Sequence, residues 1–121
     1  MANYWVVGAF NDDGDQYDKF IRRGYWELDW ADKDQPMLAN KRDQIELGDR
    51  IAIKKMLGKG SENVEIRAIG IVKDIDKDEK RIYVKWILKD LSRIVPAHGF
   101  FSSIHGPYKH DDECIIAVFK L

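Results

Sequence analysis

The stretch RIAIKKMLGKGSENVEIRAIGIVKDIDKDEKRIYVKWIL, residues 50–88, decides the fold. Arg50 to Leu57 reads as a strand, entered through Leu47-Gly48-Asp49, where the Gly-Asp pair suits a tight turn. Gly58-Lys59-Gly60-Ser61 makes the next connection. Val64, Ile66, Ala68, Gly70 and Val72 then recur at every second position, which sets them on one face of a long strand reaching Ile75. Ile69 and Ile71 fall on the opposite face, so part of this strand is expected to be covered on both sides. Asp76-Lys77-Asp78-Glu79-Lys80 is a charged turn, and Ile82, Val84, Trp86 and Leu88 repeat the period of two on the way back. Three strands joined by short turns predict an antiparallel meander.

Outward from this centre the signals are shorter. Tyr4 to Phe10 is an aromatic and β-branched run read as a first strand, stopped by the turn formers Asn11-Asp12-Asp13-Gly14-Asp15. The acidic turn lacks the later Gly and the terminal Glu of a calcium loop. Asp15 to Arg23 fits a brief helix with Tyr17, Phe20 and Ile21 on one side and Gly24 at its end. In Gly24 to Trp30, Trp26, Leu28 and Trp30 alternate with other residues and would share one face of an extended segment. Ala31 to Asn40 reads as loop with a helical turn, and Lys41 to Gly48 as another such turn. Residues 98–108 mix Gly, Pro and aromatics and predict a structured loop or a 3₁₀ turn. Cys114 to Phe119 is an apolar run expected as a closing strand, with helix as the alternative.

A chain of 121 residues fits one domain, 1–121, with 45% hydrophobic and 34% charged residues. Its 20 basic and 21 acidic residues give a net charge of -1, without the overall basic excess of a protein that grips nucleic acid by its backbone alone. Cys114 is the single cysteine, so an intrachain disulfide and a cysteine-rich zinc site are both excluded. No apolar run reaches membrane-spanning length and no signal-peptide pattern opens the chain, which points to a cytoplasmic setting. The apolar end at Leu121 raises the expectation of a domain excised from a larger protein.

Four stretches in order, Tyr4-Trp5-Val6-Val7-Gly8, Leu47 to Ile53, Ile66 to Val72 and the aromatic Gly-rich segment from Gly99, resemble the PUA-like superfamily and in particular its EVE-like domains. The chain is also similar in outline to the DNA-reading domains of modification-dependent restriction ATPases and GTPases. The resemblance implies an α+β or mainly β fold, a curved sheet or open β-barrel with short peripheral helices. It further implies binding of DNA or RNA, capture of a flipped, methylated base in an aromatic cage, and a fused or associated nucleotide-driven enzyme as partner. On that resemblance Trp5, Trp26 and Trp30 are candidate pocket residues, with Phe100, Phe101 and Tyr108 as a lid or further wall.

The chemistry of such a site is stacking, which tolerates any base, plus hydrogen bonds that choose among them. Asp29, Asn40, Ser102 and Ser103 carry suitable donors and acceptors. Residues 41–60 hold six Lys/Arg against three Asp/Glu, whereas residues 1–40 hold four against eight. That asymmetry allows a backbone-binding edge of Lys41, Arg42, Lys54, Lys55 and Lys59, joined by Arg67. Lys54 and Lys55 are adjacent and should point to opposite faces of a regular strand, and ordinary solvated charge is the plain reading of each lysine. The plain reading of an aromatic is core packing: it fits Trp86 best, and divides Trp5 evenly between core and pocket. Phe100 and Phe101 cannot share a strand face, so at least one should border a cleft. Two other functions stay open. Exposed aromatics would equally serve a protein-interaction module. His98, His105 and His110 with Ser102 or Ser103 hold the ingredients of a small hydrolase, but no nucleophile elbow, metal-ligand spacing or phosphate-cradling loop accompanies them, and no cofactor is expected.

Overall fold

Alternation along residues 4–8 sets the layers of the molecule: Trp5 and Val7 are buried in one hydrophobic cluster and Val6 in a second. A computed structural model of the chain describes residues 2–11, 13–28 and 31–120. Met1, Asp12, Leu121 and two expected pocket residues, Asp29 and Trp30, lie outside the described residues. The elements are β1 (Tyr4–Gly8), β2 (Phe10–Asn11), β3 (Gly14–Asp15), α1 (Tyr17–Arg23), β4 (Tyr25–Glu27), α2 (Pro36–Arg42), β5 (Arg50–Met56), β6 (Asn63–Asp76), β7 (Arg81–Leu88), β8 (Arg93–Pro96), β9 (Ile104–Tyr108) and α3 (Glu113–Phe119). The fold is α+β, a curved, partly open mixed sheet with a few short helices.

The sheet runs β4-β7-β6-β5-β1-β9, with β8 also paired to β6. The expected meander is its centre, β5, β6 and β7, all antiparallel. The pairing of β1 with β5 is parallel, from Tyr4 opposite Arg50 to Gly8 opposite Lys54. A parallel pair cannot be closed by a hairpin, so residues 9–49 must cross over, and α1, β4 and α2 are built in that crossover. Gly24 takes the left-handed conformation that ends α1, with φ 73° and its N–H on the Phe20 carbonyl. Both sheet faces are covered. One carries Trp5, Phe20, Trp26, Ile51 and Val84, and the other Val64, Val95, Phe100, Ile115 and Val118.

Several expectations are corrected. Cys114 to Phe119 is helix α3, not a strand: Ile115 and Val118, three apart, are buried while Ile116 is exposed, a helical face in place of an alternating one. Residues 104–108 are a strand in a region read as loop, and residues 93–96, where no element was expected, form another. The helical turn expected within Ala31 to Asn40 is helix α2, which runs on to Arg42, while residues 43–48, expected as a second helical turn, are turn and coil. The set from Val64 to Val72 does not share one face. Ile53 pairs with Ala68 and Lys54 with Ile66, so Arg67 is an extra residue, a β-bulge that puts Ile66 in one cluster and Ala68 in the other.

Where β6 meets β7, Gly70 leaves no room for a side chain. A Cβ there would stand 2.5 Å from Val84 Cγ1 and 2.7 Å from the Lys85 carbonyl oxygen. Gly70→Ala is therefore expected to lower the unfolding free energy by about 1–3 kcal/mol, the usual penalty of overpacking, read as a lower urea midpoint.

Candidate functional site

β1 and β5 run in the same direction and end together, at Gly8 and at Lys54 to Met56. Beyond these ends the chain leaves β1 toward β2 and α1, while residues 101–103 arrive to start β9, anchored by the Gly8 N–H on the Ser103 carbonyl at 2.9 Å. The divergence opens a cleft of about 620 Å³, within the range of small-molecule sites. Ala9, Phe10, Leu38, Ile53, Met56 and Phe101 supply its apolar lining, and Tyr17, Lys54, Lys55, Arg67, Ser102 and Ser103 its polar groups.

The aromatic rings divide by exposure. Phe10 and Phe101 are 79% and 62% exposed and form the rim. Tyr17 is buried below them, its hydroxyl accepting from the Asp90 N–H at 2.7 Å and donating to the Arg67 carbonyl at 3.1 Å. The Arg67 guanidinium lies 4.2 Å from the centre of the Tyr17 ring and is paired with Glu65 at 3.4 Å and Asp15 at 3.8 Å. The bulge thus turns Arg67 into the cleft wall, where its charge is shared with two carboxylates.

His105 shapes the 101–103 segment. Its Nε2 accepts the Ser102 N–H at 2.9 Å, which leaves the proton of the neutral ring on Nδ1. Burial, reinforced by the charges of Lys54 and Lys41, pushes its pKa down to about 4. A ring so placed is neutral at pH 7, and the lone pair a general base needs is committed to the loop amide. His98 and His110 are exposed outside the cleft. Among the described residues no group of three or more His, Cys, Asp or Glu side chains could hold a metal ion.

Six expected site residues meet in this cleft: Phe101, Ser102, Ser103, Lys54, Lys55 and Arg67. The others are elsewhere. Trp5 is fully buried because its indole N–H donates to the Asp49 carboxylate at 2.9 Å, a group that also accepts from the Asn3 and Glu46 amides. Trp26 is fully buried too, its indole N–H on the Gly8 carbonyl at 2.8 Å. It borders only a crevice of about 10 Å³ beside the cleft, too small for a base. Phe100 is in the second cluster, against the rings of His105 and Tyr108, and Tyr108 packs there as well. Asn40 is exposed on α2 and does not line the cleft. Arg42, expected on a backbone-binding edge, is buried and held by Asp32 through two parallel hydrogen bonds of 2.9 and 3.0 Å, with Asp43 beside them. Arg42 first, then Lys80, holds the Asp32 carboxyl well below the usual carboxylate range. Lys41 is half-buried on α2 and Lys59 exposed in the turn after β5, both outside the lining. Trp86 packs against the first cluster as expected.

Phe10 and Tyr17 line the cleft without having been expected there. Phe10 opens β2, two residues past the end of β1 and off the main sheet, so an apolar residue there has no layer to enter. A second concavity, of about 790 Å³, is lined by Asp32, Asp43, Glu46, Asp74 and Asp76 with Arg42, Lys77 and Lys80. It is acidic on balance and its buried cation is already neutralised, which leaves the β1–β5 cleft as the better site. Compared with models of known protein families and with curated proteins, the chain matches none.

Neutral His105 has a pH consequence. The unfolded chain binds its proton at an ordinary histidine pKa near 6.5 and the folded chain only near 4, so stability is complete above about 6.5 and is lost as pH falls toward 4. The unfolding midpoint should drop across that window, and a His105→Gln variant should show a shallower drop in the same urea titrations.

Proposed function

We propose that the chain is a non-catalytic nucleic-acid reader that receives one base, in methylated form, between Phe10 and Phe101. The observation that carries this reading is a cleft with room for a nucleobase, two exposed phenyl rings at its rim and an apolar wall of Ala9, Leu38, Ile53 and Met56. Large apolar rings held in water are unfavourable for folding alone and are the material of stacking platforms. An apolar wall accommodates a methyl group without leaving a polar atom unpaired. Exposed Lys55, and Lys59 in the following turn, are suited to the phosphates on either side of the base. The resemblance to EVE-like domains supports the same reading and implies a nucleotide-driven DNA-processing enzyme as the fused or associated partner.

Exposed Phe10 and Phe101 also fit a second reading, a hot spot for a protein partner. That reading requires capture that survives nuclease digestion.

The test is binding to matched oligonucleotides, unmodified or carrying methylcytosine or methyladenine, at two salt concentrations. Phe10→Ala and Phe101→Ala should each weaken binding by roughly 5- to 100-fold, the equivalent of about 1–3 kcal/mol of stacking, with the unfolding midpoint little changed. Lys55→Ala should weaken all ligands alike and reduce the salt slope by about 0.7 on single strands. Trp26→Ala should instead lose about 3–5 kcal/mol of stability, as a core truncation does. Absence of binding, or binding indifferent to both phenylalanines, overturns the reading.

A further inference from the structure

Three polar or charged residues are buried among the described residues: Arg42, Asp49 and Lys54. Two are satisfied within the chain. Arg42 is neutralised by Asp32 and Asp43, and Asp49 accepts three N–H groups. Lys54 is not. It is 6% exposed, and its hydrogen-bond partner among the described residues is the Met56 thioether at 3.7 Å, a weak acceptor. Neither a carboxylate nor a carbonyl oxygen takes one of its three protons in the hydrogen bonds and ion pairs of those residues.

The position of this ammonium is also informative. Lys54 pairs with Gly8 across the parallel strands, and a Cβ added to Gly8 would stand 3.7 Å from Nζ. The glycine keeps the space around the ammonium open on the cleft side. Lys54 is the deep member of a cleft whose rim is Phe10 and Phe101, so a base stacked at the rim would bring its inner edge, not its phosphate, toward Nζ. Phosphates outside would meet exposed Lys55 instead.

Resting on the reading of the cleft as a base site, we propose that Lys54 determines its specificity, donating to a keto oxygen on the inner edge of the base and so selecting thymine, cytosine or guanine derivatives over adenine. An ammonium has donors and no acceptor. Guanine offers O6 beside N7 and thymine offers O4, whereas N1 and N7 of adenine each flank an exocyclic amine whose protons would face the ammonium. Hydrogen bonds to a charged donor in a dry site are among the stronger ones, and leaving the site unfilled leaves the charge unpaired.

The charged and titratable groups around Lys54 are Lys55 on β5, Arg67 on β6, Asp15 on β3, Tyr17 on α1, Lys41 on α2 and His105 on β9. His105 is neutral, burial raises the Tyr17 phenol, and Arg67 is paired with Asp15 and Glu65. Burial lowers Lys54 to about 8. A ligand that hydrogen-bonds the ammonium holds its proton, so affinity should fall as the free protein deprotonates above that value.

The test is fluorescence anisotropy of the full chain with single-stranded oligothymidylate, oligocytidylate and oligoadenylate of equal length, from pH 7 to 9. At pH 7 the keto probes should bind at least about tenfold more tightly than oligoadenylate, as expected of a hydrogen bond to a charged donor. The preference should shrink toward pH 9 and be absent in Lys54→Met. That variant replaces an unpaired buried charge by an apolar chain of similar length, so its thermal midpoint should equal or exceed the parent's. Equal affinity for the three probes, or a preference that Lys54→Met leaves intact, overturns the role of Lys54 while base stacking stands. Failure to bind any of these probes overturns this proposal, and failure of the methylated oligonucleotides as well overturns the base site. Should Lys54→Met not fold, the pH series on the parent decides: a preference that is flat from pH 7 to 9 overturns the proposal.

Discussion

The parallel pairing of β1 with β5 is the constraint on which the rest of the structure depends. It forces the chain to travel through residues 9–49 before the second strand can be laid down, and it makes two strands end at the same edge. One end of the pair is pinned by Asp49, whose carboxylate takes the Asn3 amide, the Trp5 indole and the Glu46 amide, and so fixes the first strand against the turn that starts the second. The other end cannot be closed in the same way, because Phe10 leads off in one direction and Ser103 arrives from another. A cleft at Gly8, Lys54 and Ser103 is the geometric result, as it is wherever neighbouring connections diverge at the carboxyl ends of parallel strands.

Around that cleft the rules that stabilise the remainder of the chain are broken twice. The tryptophans Trp5 and Trp26 are buried with their indole N–H groups satisfied, as stability requires. Phe10 and Phe101 are left in water, and Lys54 is taken out of it without an oxygen acceptor among the described residues. Each arrangement is unfavourable for the folded chain by itself, and both occur within one concavity. Coincident departures from the pattern of a foldable sequence mark places where something other than folding fixed the residue types.

How much was legible follows from the length of each signal. β5, β6 and β7 each hold a period of two over several residues, and α1 ends at a glycine in the conformation its position demands, so the sheet centre and first helix could be read directly. β8 and β9 span four and five residues and contain Pro96, Gly106 and Pro107, which look like loop until a neighbouring strand supplies their partners. The seven residues of α3 are too few for spacing to separate helix from strand. The bulge at Arg67 is invisible because apolar alternation continues across it unbroken. At the site, adjacent Lys54 and Lys55 were expected on opposite faces of a regular strand; the bulge interrupts the pairing there, and both border the cleft, Lys54 buried and Lys55 exposed. Trp5 and Trp26 misled because aromatic residues serve cores and pockets equally well. What separates those roles is the partner of the indole N–H, here Asp49 and the Gly8 carbonyl, and that is a fact of tertiary structure.

Net charge hides the last feature. A total of -1 describes a chain whose charges are sorted along its longest strand. Near Val64 and Glu65, β6 pairs with Met56 and Lys55 at the cleft, whose lining carries Lys54, Lys55 and Arg67 against Asp15. At its far end, Asp74 and Asp76 border the acidic concavity with Asp32, Asp43 and Glu46. The two sites thus lie toward opposite ends of the fourteen residues of β6. A polyanion would be drawn to one end of the sheet and repelled from the other, so orientation would be set before any base reached the cleft. On the proposed reading, local charge sorting of this kind would let a nearly neutral chain guide a nucleic acid without the nonspecific grip that overall basicity brings.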